Sequence, residues 1–312
     1  MTRSDDGAVR EALRRLRPDV ATAPSDFRYR PLDGGIQRRS FLVETARERW
    51  VLRLPTPGAG ALNGVATEAV AMRAAAAAGL APRVIAVDAE HGLLLTEYRA
   101  GAEPWTEATA RRPANIARAV VMLRALHSVE ADIPAYAAER IARGYLDALA
   151  DGDALADGDS PGVAPASFEH ERVQSWRREL LDLACWFDAS QPPEGLCHND
   201  LVAANVLDDG RLSLVDFEYA VRGSPLRDLA GLAGMNDFSP EQRRALLAAY
   251  YRPMGPDPSF ADLDRAIRMV RLMSFFWAIL GVHLAADAAP YSRLAAELGS
   301  LLERAVAPTS SR

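Results

Sequence analysis

A chain of 312 residues that is 49% hydrophobic and 25% charged has the composition of a folded protein with a sizeable core, and its length suits two lobes better than one small domain. Its formal charge of -6 argues against a nucleic-acid partner and is compatible with a cationic substrate. The opening Met-Thr-Arg-Ser-Asp-Asp lacks the apolar run of a leader peptide, and no stretch reaches about 18 consecutive apolar residues, so no membrane span is expected and the chain reads as cytoplasmic.

Residues 8–16 carry Val9, Leu13 and Leu16 at helical spacing, and Pro18 closes the pattern. Residues 27–32 alternate like a strand, Asp33-Gly34-Gly35 turns the chain, and residues 40–44 return. A strand, a glycine turn and a returning strand is the form of a loop that covers phosphates, because glycine lets backbone N–H groups approach oxygens; Arg38, Arg39 and Ser40 add donors. Residues 50–55 form a third strand with Arg53 at its centre. Residues 57–60 read as a flexible loop, and residues 65–78 as a helix of strong formers ended by Gly79, with Glu68 in its first turn. Two more strands, 84–87 and 93–98, flank a turn at His91-Gly92.

Past Pro104 the pattern becomes helical. Ile116, Val120, Leu123, Leu126 and His127 share one face, and His127 reads as a core or helix-end residue. Residues 151–167, rich in Gly, Asp, Ala and Pro, read as a mobile surface insertion, and a helix follows from 169 to about 187. Cys185 and Cys197 lie in apolar surroundings without metal-type spacing and are expected to be reduced core residues. All 36 basic residues are Arg, so any lysine role falls to arginine.

The stretch from Leu196 to Tyr219 concentrates chemistry. Asp200 and Asn205 precede the turn Asp208-Asp209-Gly210, and Asp216 ends the apolar run 212–215 that follows it. The spacing predicts a small hairpin that gathers two carboxylates and an amide, oxygen ligands of the kind Mg²⁺ prefers. Any one of these residues would pass as an ordinary turn residue; the set at this spacing reads as a site. Gly223-Ser224-Pro225 then marks a turn, Asp228 begins a helix, and residues 273–282 form an apolar helix rich in aromatics.

His198-x-Asp200 with Asn205 fits the kinase pattern of a catalytic Asp followed by a metal-holding Asn, and Asp216-Phe217-Glu218 stands where protein kinases carry Asp-Phe-Gly. With the spelling His198-Asn199-Asp200 and Asp216-Phe217-Glu218-Tyr219-Ala220, the chain resembles the choline/ethanolamine kinase branch of the aminoglycoside-phosphotransferase-like kinases. The resemblance implies an α+β, two-lobed protein-kinase-like fold: a small antiparallel-sheet N-lobe over residues 1–98 and a mostly helical C-lobe over 99–312. It implies transfer of the γ-phosphoryl group of ATP, with Mg²⁺, to the hydroxyl of a small cationic alcohol. Choline or ethanolamine comes first, an aminoglycoside, thiamine or other alcohol second; a nucleotide-binding pseudokinase scaffold is the reading from another class.

The implied roles are these. Asp200, with His198 and Asn205, forms the catalytic group, and Asn205 and Asp216 hold the metal. Gly34, Gly35 and Ser40 cover the phosphates, Arg53 takes the place of the kinase lysine with Glu68 orienting it, and Glu97 and Tyr98 form the hinge that meets adenine. Asp200, Glu218, Tyr219, Trp277 and Tyr291 face the acceptor, whose ammonium group would bind aromatic faces by cation–π attraction. Asp228 braces the catalytic loop. The chain differs from the family at Gln37 and Arg38 after the glycine turn, at Arg53, and at Leu280, where a second Trp is common.

Overall fold

The computed structural model describes residues 3–20, 27–32, 38–55, 64–155, 169–252, 258–285 and 287–304. Helix α1 (Arg3–Leu16) turns Val9, Ala12, Leu13 and Leu16 inward. Strands β1 (Phe27–Leu32), β2 (Arg38–Thr45) and β3 (Arg49–Pro55) follow, then helix α2 (Val65–Ala77) and strands β4 (Val84–Asp88) and β5 (Leu93–Glu97). They form an antiparallel sheet in the order β1-β2-β3-β5-β4. Gly34, Gly35 and the loop at 57–60 lie outside the described residues.

Strand alternation decides what each face of this sheet carries. Leu52 and Leu54 of β3 and Leu93 and Leu95 of β5 pack with Val9 and Leu13 of α1 in one core. Arg53 and Leu94, which face each other across β3 and β5, project to the opposite side, and Leu94 joins the core that includes Val65, Ala69 and Met72 of α2. Helix α2 ends where Gly79 takes φ +74°, and the N–H of Leu80 returns to the carbonyl of Ala75 at 2.9 Å, a left-handed cap that glycine accommodates without strain. The carbonyl of Leu80 then accepts a bond from the N–H of Leu214 at 2.7 Å, which ties this lobe to the hairpin before Asp216.

The second lobe is helical. After β6 (Glu103–Pro104) and α3 (Glu107–Ala110) come α4 (Pro113–His127), α5 (Ala138–Leu155) and α6 (His170–Ser190). Three short strands, β7 (Gly195–Cys197), β8 (Val206–Asp208) and β9 (Leu212–Leu214), flank the segment that holds Asp200, Asn205 and Asp216, and β10 (Val221–Gly223) returns to pair with β7. Helices α7 (Pro225–Met235), α8 (Pro240–Tyr251), α9 (Phe260–Leu284) and α10 (Ala289–Arg304) complete the chain. By length and composition α9 could cross a membrane, yet its apolar stretch is more than half buried, so it serves as the central core helix.

Three expectations need correction. Helix α5 runs to Leu155, into the segment read as an insertion, because Ala150, Ala154 and Leu155 are good helix formers; residues 156–168 lie outside the described residues. Cys185 is exposed, because the buried stripe of α6 is Val173, Trp176, Leu180, Ala184 and Phe187, and a residue next to Ala184 points about a quarter turn away; Cys197 is buried. Helix α7 starts at Pro225, not Asp228, because the Ser224 side chain caps it and proline suits a first helical position.

Gly195 opens β7 directly against the end of α4. A Cβ at this position would lie 1.9 Å from the carbonyl oxygen of His127, with backbone on both sides of the clash. Gly195→Ala is expected to lower the unfolding free energy by about 3 kcal/mol. Urea denaturation checks this, and an unchanged midpoint would show that β7 and α4 can separate freely.

Candidate active site

Arg53 stands at the junction of the lobes, 7% exposed, because its neighbours on β3 are committed to the other face of the sheet. Its Nη1 donates to the fully buried Glu68 of α2, and its Nη2 lies 2.8 Å from Asp216 Oδ1 and 3.8 Å from Glu218 Oε2. Burial works against the arginine's charge, but Asp216, Glu68 and Glu218 outweigh it and hold its pKa above the ordinary value. The Arg53–Asp216 contact is an ion pair without hydrogen-bond alignment, so Asp216 Oδ1 is buried with its acceptor capacity unused. Ser40 faces Arg53 across the β2–β3 ladder.

The segment after β7 is ordered by its own polar groups. Asn205, at the end of the 3₁₀ turn Ala203–Asn205, donates through Nδ2 to both the carbonyl oxygen and Oδ2 of Asp200, each at 2.9 Å. That geometry leaves its amide oxygen as the atom free to meet a cation. Burial, then the like charge of Asp216, pushes the Asp200 carboxyl up, against the opposing influence of His198, Asn205 and Arg227. His198, expected among the catalytic groups, is buried: its Nδ1 accepts from the N–H of Asp200 at 3.3 Å and its Nε2 lies 2.9 Å from the carbonyl of Val215. Both ring nitrogens are engaged by backbone, so the imidazole orders the loop and has no atom left for a reactant; the partners assign the Nε2–H tautomer.

Asp228 holds the same loop from below. Fully buried in the first turn of α7, it accepts from the N–H of His198 at 2.8 Å and of Asn199 at 2.7 Å. His127 Nε2 lies 3.1 Å from the same carboxylate, and its Nδ1 lies 2.7 Å from the Tyr250 hydroxyl. Burial would raise the Asp228 carboxyl, but His127 and the N–H of His198 hold it below the usual carboxylate range. His127, Cys197 and Asp228 also bring possible metal-ligand atoms within 4.8 Å of one another. Hydrogen bonds already occupy the imidazole and the carboxylate, and burial pushes the Cys197 thiol well up, so the cluster reads as a brace.

The third group is aromatic. The rings of Trp277 on α9 and Tyr291 on α10 lie 5.4 Å apart, and Tyr291 occupies the space over Gly281, one helical turn beyond Trp277. Burial, then the charge of Glu218, raises the hydroxyl pKa of Tyr291 and also of Tyr219. Phe275 and Phe276 are core residues. At the far end of β5, the N–H groups of Glu97 and Tyr98 donate to the carbonyls of Arg83 and Arg49, at 2.9 and 3.1 Å. The expected hinge can therefore meet a base at these residues through carbonyl groups only.

Four residues nearby were not anticipated. Asn236 hydrogen-bonds Leu201 and Ala203, between Asp200 and Asn205, from the end of α7. Arg227, buried beside Asp228, donates from Nε to the Tyr136 hydroxyl at 3.3 Å, and its Nη1 has no partner among the described residues. Burial, then Tyr136, raises the hydroxyl of Tyr145, which also feels Arg227 and Glu218. Adjacency to Asp228 could have flagged Arg227; Tyr136, Tyr145 and Asn236 carry no local signal beyond an aromatic in a loop or helix and an amide at a helix end.

A model of the phosphotransferase enzyme family matches residues 28–263. Protein LicA of Haemophilus influenzae is 26% identical over 219 residues, which cover 70% of this chain and 61% of that protein, so the chain spans less than two thirds of this curated relative. Among solved structures, choline kinase LicA from Streptococcus pneumoniae has a TM-score of 0.75 at 18% identity, covering 96% of this chain and 99% of that one. A choline/ethanolamine kinase family protein from Mesorhizobium loti has a TM-score of 0.68 at 26% identity, covering 95% and 94%. The expected α+β, two-lobed kinase-like fold is the one these structures share.

Because the Asp228 carboxyl is held low in the folded state, its stabilisation is present above the unfolded carboxylate value of roughly 3.9 and is lost as pH falls below it towards the folded value. Asp228→Asn is expected to cost about 3 kcal/mol at neutral pH and to flatten the acid limb of stability. Urea unfolding at about pH 7 and about pH 2.5 measures both, and an equal loss at the two values would refute the assignment.

Proposed function

Since the chain belongs to the phosphotransferase enzyme family, we propose that it is an ATP-dependent kinase that transfers a phosphoryl group to the hydroxyl of choline or ethanolamine. The observation that carries this reading is the Trp277–Tyr291 aromatic pair, with the Tyr291 hydroxyl in the field of Glu218. An aromatic face beside a carboxylate is the chemistry that recognises an ammonium head group, worth about 0.5–2 kcal/mol for each face. The kinship with choline kinases and a choline/ethanolamine kinase family protein supports the same choice.

Asp200 would accept the hydrogen bond of the acceptor hydroxyl and take its proton, with Asn205 fixing the carboxylate rotamer through Nδ2. The unused Asp216 Oδ1 and the amide oxygen of Asn205 are hard oxygen donors that fit Mg²⁺. When bound, the ion would neutralise charge on the phosphates. Arg53, aimed by Glu68, would meet the phosphates, and its present pairing with Asp216 and Glu218 keeps the guanidinium at the junction where they would arrive. Glu218, Tyr219, Trp277 and Tyr291 would enclose the head group. Catalysis in this scheme is positioning and charge neutralisation around a loose phosphoryl group.

The test is turnover of an acceptor panel with MgATP, followed by ADP release and product mass. Choline or ethanolamine should lead; preference for a neutral sugar or an aminoglycoside would sink the assignment. Asp200→Asn should lower kcat by about 10²–10⁴-fold, whereas equal background rates in the variant and the wild type would indicate a scaffold. Trp277→Ala should raise the choline KM by about 10-fold, the equivalent of one cation–π contact, and leave the ATP KM unchanged. A parallel loss toward both substrates would remove Trp277 from the acceptor wall.

A further inference from the structure

Helix α7 touches the catalytic loop at both of its ends. Asp228, in the first turn, serves residues 198 and 199. At the other end Asn236, 1% exposed, sends its side chain out of the helix to the middle of the loop. Its Oδ1 accepts from the N–H of Ala203 at 2.9 Å, and its Nδ2 donates to the carbonyls of Leu201 at 3.0 Å and of Leu232 at 2.8 Å. One acceptor and both amide hydrogens are thus used, which fixes the orientation of the amide: exchanging its oxygen and nitrogen would set donor against donor at Ala203 and acceptor against acceptor at Leu201.

The bond to Leu232 is what a helix-end amide would make anyway. The other two reach 33 and 35 residues back along the chain and clasp Val202 from both sides. On one flank of that clasp is Asp200, on the other Asn205, and the Asn205 side chain closes the span by bonding Asp200. Leu201 and Ala203 are buried, so without Asn236 a carbonyl and an N–H would be left unpaired away from water. The clasp itself is anchored. Asp237 follows in a left-handed conformation (φ +50°), and Arg271 of α9 donates to the carbonyl of Gly234 at 3.0 Å and lies 3.4 Å from Asp237.

We propose that Asn236 is a positioning residue for phosphoryl transfer: by clasping Leu201 and Ala203 it sets the distance between Asp200 and Asn205. Arg271 supports it from the helix that also carries Trp277. The proposal rests on the roles given above to Asp200 and Asn205, but not on the identity of the acceptor.

Two variants test it. Asn236→Asp keeps the size and the acceptor for Ala203 but cannot donate to Leu201; Asn236→Leu keeps the volume and removes both bonds. Amide hydrogen exchange of residues 198–207, read on the protein without metal or nucleotide, should speed up in both variants, with the rest of α7 and α9 unchanged. Per folded molecule, counted by circular dichroism, kcat should fall about 10–100-fold for transfer to the amino alcohol and for hydrolysis of ATP by water, with the ATP KM within twofold of wild type. Loop exchange equal to wild type, acceleration spread over the whole helical lobe, or an unchanged kcat per folded molecule would each overturn the proposal. If the wild type phosphorylates no amino alcohol while its ATP hydrolysis responds to Asn236, the acceptor assignment fails and the positioning role stands. A wild type silent toward both would overturn the positioning role together with the reading it rests on.

Discussion

The site depends on a carboxylate that accepts two consecutive backbone N–H groups. His198 and Asn199 leave β7 in a conformation that regular strand pairing cannot satisfy, and Asn199 adopts φ +65° without being glycine. Asp228 takes both N–H groups, and His127 and Tyr250 complete its surroundings. A buried carboxylate so occupied stays ionised, and its charge is spent on the backbone. The loop therefore has one place to be, and the side chains of Asp200 and Asn205 inherit that place.

Arginine at position 53 changes how the opposite wall is built. An ammonium group would have to share one nitrogen among its partners, whereas the guanidinium fork gives Nη1 to Glu68 and turns Nη2 toward Asp216 and Glu218. Glu68, Asp216 and Glu218 all lie within ion-pair reach of this one guanidinium. In the proposed reading a divalent ion and an ammonium head group would bring positive charge to these carboxylates.

What the sequence made legible was local or periodic. Asp200 and Asn205 are five residues apart and meet through one short turn; the meeting of Arg53 with Glu68 was legible only through the resemblance to kinases, since strand alternation and helix position place each residue but do not pair them. The fold class was readable through the resemblance that the His198–Ala220 motifs carry. What stayed hidden were contacts made by residues whose local roles are already complete. Asn236 is a plausible helix end, His127 a plausible core residue and Tyr136 a plausible loop residue, and only the packing of α4, α7 and α9 shows where their polar atoms go. His198 shows the converse: its motif drew attention to a reacting role, while the structure spends its ring on the backbone.

The exclusive use of arginine reaches beyond geometry. A guanidinium does not lose its proton at any pH a cell meets, and it is not a target of the acetylation that silences lysines. The wall at Arg53 therefore keeps its charge under alkaline conditions and in the presence of acyl donors. By the same chemistry, amine-reactive nucleotide probes that identify kinases by acylating a lysine near the phosphates would find nothing here to label.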